Sequence, residues 1–121
     1  MKARSLSHAG ITVSSFNRAV RFYWEIFGCP LVGVADTPPE RVRAFFGVDA
    51  PQPSCKIGWV RVPGGGVLEI FEFQPQQPPV PVTWNQVGLT HISFNIPIRF
   101  GTFTSLIYIN NSMSDLFQFG N

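Results

Sequence analysis

"SCKIGWVRVPGGGVLEIFEF", residues 54–73, decides how the chain folds. Two strand-like runs, 54–62 and 67–73, flank a Pro-Gly-Gly-Gly segment. Glycines supply the positive φ that a tight reversal needs, so this spacing predicts a β-hairpin. In the second run the two-residue period of a strand sends Glu69 and Glu72 to opposite faces. Only one of them can share a pocket with a given side chain on a neighbouring strand. Trp59 and Arg61 share a face of the first run and are placed to line a pocket, although an exposed strand arginine is the ordinary case. Cys55 reads as a small core residue.

Upstream, "SSFNRAVRFYWEIFG" puts Phe16, Ala19, Val20, Tyr23 and Phe27 at three- and four-residue spacings, one face of a helix. Ser14 or Ser15 suits its start, because a serine oxygen accepts from a free first-turn N–H, and Gly28 suits its end. Tyr23 and Trp24 are expected to pack the helix. Residues 5–13 before it and "PLVGVAD" after it read as strands. "TPPERVRAFFG" reads as a short helix with Thr37 and Glu40 as a capping box, Pro38 at the first helical position and Gly47 at the end. The order over the first 73 residues is β-α-β-(short helix)-β-β. A proline-rich stretch, "QPQQPPVPVTWNQ", then reads as an extended linker.

Beyond it, "GLTHISFNI" (88–96) echoes "SLSHAGITV" (5–13): Leu6 aligns with Leu89, His8 with His91, Ile11 with Phe94 and Val13 with Ile96. The chain has two histidines, and both stand at the same place in this repeated strand. In the remaining tail, "FTSLIYI" and "DLFQF" are candidate strands around a turn-like "NNS". The composition, 45% hydrophobic with a net charge of +2, suits one small globular domain or two modules. The sequence has no basic stripe for nucleic acid, no membrane-length apolar run and no signal-peptide pattern at its start. Cys29 and Cys55 form no C-x-x-C motif; a reduced, cytoplasmic protein is the simpler expectation, with a single disulfide as the alternative.

The ordered set "LSHAGITV", "AVRFYWEIFG", "GGGVLEIFEF" and "LTHISFNI", spanning residues 5–96, resembles the vicinal oxygen chelate superfamily. That group includes glyoxalase I, methylmalonyl-CoA epimerase, bleomycin-resistance proteins and extradiol dioxygenases. The resemblance implies an α+β fold of paired βαβββ modules: a first module over 1–75, the linker over 76–87, and an abbreviated or truncated second module over 88–121. It implies a divalent metal (Zn, Ni, Fe, Mn or Co) held by His8 and Glu69 of the first module and His91 of the second, ligand types that suit these ions. Glu69 is preferred to Glu72 by family position and is the candidate catalytic carboxylate. Glu72 is then expected to face solvent or an interface. Residues 97–121 are too few for a second helix and three full strands, and no glutamate follows Glu72. The family's usual fourth ligand and base is therefore missing, unless "DLFQF" echoes "EIFEF" and places Asp115 where Glu69 stands. The implied function is a glyoxalase-like isomerase or lyase acting on a small oxygenated substrate through a metal-stabilised enediolate-type intermediate. The alternatives are a non-catalytic sequestering protein of the bleomycin-resistance type or an extradiol-dioxygenase-like enzyme. An incomplete second module also leaves a sheet edge uncovered, so a homodimer is expected.

Overall fold

The computed structural model describes residues 1–79, 83–89, 91–98 and 101–108. The chain divides into two compact units, Met1–Gln77 and Pro78–Asn121, each taken by itself.

The first unit runs β1 (His8–Thr12), α1 (Phe16–Phe27), β2 (Leu31–Thr37), α2 (Pro39–Phe46), β3 (Ser54–Arg61) and β4 (Val67–Gln74). Its four strands form one mixed sheet in the order β1-β4-β3-β2. β1 runs parallel to β4, and β3 is antiparallel to both of its neighbours. The class is α+β, and the connectivity is a βαβββ module with a short helix between its second and third strands.

The 62–66 reversal sets the register of everything around it. Gly65 N–H donates to the Val62 carbonyl at 3.0 Å, and Gly64 has φ 73°. That is a type II turn, with Pro63 at the position where its fixed φ is favourable and glycine where φ must be positive. Val62 N–H then closes onto the Gly66 carbonyl at 3.0 Å, and β3 and β4 pair outward from there, Arg61 with Val67 and Trp59 with Glu69. Gly66 serves a different need. A Cβ there would stand 2.8 Å from the backbone oxygen of Ser7, so only glycine lets the chain enter β1 this close to β4.

The core lies between α1 and one face of this sheet. Leu68, Ile70 and Val60 are buried on the sheet side, and Phe16, Ala19 and Tyr23 on the helix side. Alternation along β4 buries Leu68 and Ile70 and leaves Val67, Glu69 and Phe71 half-buried on the other face. The two layers meet most tightly at Gly58, where a Cβ would lie 2.5 Å from the Phe16 ring. Gly58→Ala is therefore expected to destabilise the protein by about 1–3 kcal/mol through overpacking, read as a lower thermal midpoint.

The ends of α1 follow the sequence reading. Ser15 is the N-cap and accepts from Arg18 N–H, while Gly28 at φ 64° and Cys29 return N–H bonds to Trp24 and Tyr23. This is the αL ending, in which the N–H of a left-handed glycine bonds a carbonyl of the last turn. Burial pushes the Tyr23 hydroxyl up to about 12, with Cys29 adding to it.

Three local expectations are corrected. Trp24 is exposed and does not pack the helix. α2 begins one residue later than expected: Pro38 is the N-cap without a side-chain bond, Pro39 takes the first turn, and Thr37 ends β2 instead of forming a capping box with Glu40. The third concerns Glu72, which is half-buried and accepts the backbone N–H of Phe16. The first turn of α1 carries no acidic residue of its own, so a carboxylate reaching over from β4 supplies the negative charge that a helix N-terminus favours. The residue that looked solvent-facing ties helix to sheet.

Cys29 and Cys55 are free, buried thiols. Burial, and secondarily the Glu69 charge, push Cys55 up to about 11.

In the second unit, β5 (His91–Ile98) and β6 (Gly101–Tyr108) form an antiparallel pair, with His91 opposite Tyr108. Both echo strands thus begin at their histidine. Their pairing differs: β1 lies parallel to the last strand of its module, whereas β5 pairs with the strand directly after it. Residues 103–108 of "FTSLIYI" fall on β6, and Ile109 and "DLFQF" with Asp115 lie outside the described residues. No helix follows β5 among the described residues, and none of the described helices is long and apolar enough to cross a membrane.

Candidate functional site

The sheet face opposite α1 is laid out in rows by the strand register. The first row is His8, Val67 and Arg61; the second is Gly10, Glu69, Trp59 and Gly33; the third is Thr12, Phe71, Ile57 and Ala35. Phe46 of α2 meets Phe71 and Phe73 edge-on, so that the end of the face away from His8 is aromatic.

His8 and Glu69 sit diagonally across the β1–β4 pair. His8 Nε2 lies 3.7 Å from Glu69 Oε2, with the glutamate side chain 20% exposed and the imidazole 55%. The other atom of each group is also engaged. Trp59 Nε1–H donates to Glu69 Oε1 at 3.0 Å, and Ser7 Oγ lies 3.3 Å from His8 Nδ1. The free nitrogen of one side chain and the free oxygen of the other therefore face each other across a gap too wide for a direct hydrogen bond.

That gap suits an ion. Two donors about 2.1 Å from one cation stand roughly 3 Å apart at a right angle and roughly 3.4 Å apart at a tetrahedral angle. Closing 3.7 Å to either value takes only a small side-chain rotation. The types are also right for the divalent metals named above, and ligands whose remote atoms are hydrogen-bonded are the ordinary arrangement of a metal site. The pair supplies two ligands, and among the described residues no group of three His, Cys, Asp or Glu side chains converges. His91 belongs to the second unit, where its ring lies 5.6 Å from that of Trp84. Asp115 is outside the described residues.

Two site features went beyond the sequence reading. The sequence offers Trp59 as a candidate to line a pocket and not as the partner of Glu69; the signal lies in the hairpin, because a turn centred on 64 makes 59 and 69 cross-strand neighbours. The Gly33 and Gly10 positions also matter. A Cβ at Gly33 would touch the Trp59 ring at 3.0 Å and one at Gly10 the Phe71 ring at 3.1 Å, so each glycine gives a ring room to lie against the neighbouring strand.

Comparison with solved structures finds a glyoxalase family protein from Bacillus cereus, at a TM-score of 0.58 and 22% identity, covering 74% of this chain. The matched part spans 60% of that protein's length. At this identity the likeness establishes the fold alone, a glyoxalase-type βαβββ arrangement. No protein-family model matches the sequence. No curated protein matches it either.

Proposed function

We propose that this chain works as a glyoxalase-like, metal-dependent isomerase or lyase on a small oxygenated substrate. The observation that carries the reading is the His8–Glu69 pair, facing Nε2 to Oε2 on adjacent strands of one sheet face. A divalent cation held there supplies Lewis-acid stabilisation of negative charge developing on substrate oxygens. His8 would contribute Nε2 and Glu69 Oε2. The same pair from a second copy of the chain is the candidate to complete the set. On the same face, Arg61 suits an anionic substituent of the substrate, and Phe71 with Phe46 suits an apolar one.

The test is metal analysis of the purified chain, paired with turnover of α-hydroxythiohemiacetals and related small substrates. Stoichiometric metal with metal-dependent turnover supports the enzyme. A metal-free chain that binds such molecules without turning them over supports the second reading, a sequestering module of the bleomycin-resistance type. That reading is favoured by one observation, the convergence of two rather than three ligands among the described residues.

The same proposal includes a homodimer. β1 and β2 are the edges of the first sheet, and Val32 and Val34 of β2 are exposed. An apolar edge strand is an aggregation hazard unless something pairs with it or covers it. Light scattering at micromolar concentration is expected to give twice the chain mass, and a monomer would count against the dimer.

A further inference from the structure

We infer that Trp59 is a positioning residue for metal binding: its indole N–H fixes Oε1 of Glu69, so that the carboxylate presents Oε2 alone toward His8. This rests on the metal-site reading above and adds a role for a residue outside the ligand set.

Three observations meet in it. The bond from Trp59 Nε1 to Glu69 Oε1 is 3.0 Å long and joins residues directly opposite each other in the β3–β4 ladder. The indole is itself seated, because Gly33 on β2 carries no Cβ and leaves the ring lying against that strand at 3.0 Å from where a Cβ would be. The oxygen left over is the one that stands 3.7 Å from His8 Nε2. A glutamate has three side-chain torsions and, unheld, can offer a cation either oxygen or both. With Oε1 bonded to the indole, one geometry remains, and the entropy of choosing it is lost in folding instead of in binding. The result is monodentate ligation through Oε2.

Two measurements test this on the whole chain, with Zn²⁺ alone as the probe. The first is infrared difference spectroscopy of wild type, zinc-loaded minus zinc-free. Monodentate ligation predicts a wide separation of the carboxylate antisymmetric and symmetric stretches, and a narrow, bidentate separation in wild type overturns the inference. The second is calorimetric titration of Trp59→Phe beside Glu69→Gln. Phenylalanine keeps an aromatic ring over Gly33 and removes the N–H. Zinc affinity is expected to fall about 10–100-fold, the usual effect of losing a partner that orients a ligand, while the separation of the stretches narrows. Wild-type affinity in Trp59→Phe together with lost affinity in Glu69→Gln overturns the positioning role and leaves the metal site standing. Wild-type affinity in Glu69→Gln removes the metal site itself, and the positioning role with it. Should Trp59→Phe fail to fold, the wild-type spectrum still decides.

Discussion

Glu69→Gln should abolish divalent-metal binding and leave the fold intact. Glutamine has the same length and shape, and its amide oxygen can still accept the Trp59 N–H, so the ring contacts over Gly33 and Gly10 are kept. The atom then facing His8 is an amide nitrogen, which carries hydrogens and has no lone pair to give a cation. The affinity loss should exceed the roughly 10–100-fold typical of changes behind a ligand, because here the ligand itself is removed. The change is isosteric and keeps the acceptor for Trp59, so the thermal midpoint should move little. Titration calorimetry with Zn²⁺ or Ni²⁺, run beside a thermal melt, reads both halves of the expectation. Retained binding would show that the carboxylate does not hold the ion.

Glu72→Ala should do the reverse. This carboxylate is three residues along the same strand, on the opposite face, and accepts the N–H of the first residue of α1. Hydrogen bonds to charged groups contribute about 1.5–3 kcal/mol, and their removal leaves a half-buried N–H without that acceptor. The helix also loses the negative charge near its N-terminus, worth about 0.3–1 kcal/mol. The thermal midpoint is expected to fall by roughly 10–20 °C for a unit of this size. Metal affinity measured below the transition should be unchanged. Glu72→Gln, which keeps an acceptor oxygen but not the charge, should lie between alanine and wild type. If Glu72→Ala melts like wild type, the tie between α1 and β4 is not a stability element.

The contrast between these two glutamates marks what the sequence reveals and what it hides. Strand parity alone separates their faces, and the hairpin at 62–66 is readable because proline and glycine dictate its backbone. The helix α1 is equally legible, since its apolar spacing, Ser15 and Gly28 all agree. The diagonal approach of His8 to Glu69 could be anticipated once β1 and β4 were taken as neighbours. What Glu72 does was hidden, because its partner is a backbone N–H 56 residues away and backbone donors leave no mark on residue type. The start of α2 was misjudged for a related reason: two consecutive prolines make either one a plausible first helical residue, and only the backbone path decides. Trp59's bond was latent in the hairpin register, but a tryptophan in a strand is far more often packed than donating. In the second unit, the histidine echo identified β5, while its pairing with β6 was set by the adjoining segment instead of by the repeat.

The central claim is that His8 Nε2 and Glu69 Oε2 hold one cation between them. Anomalous diffraction from crystals grown with Zn²⁺ or Ni²⁺, collected at the metal's absorption edge, tests it most directly. The account predicts an anomalous peak about 2.1 Å from both atoms. A peak elsewhere, or density between the two side chains with no anomalous signal, would contradict it.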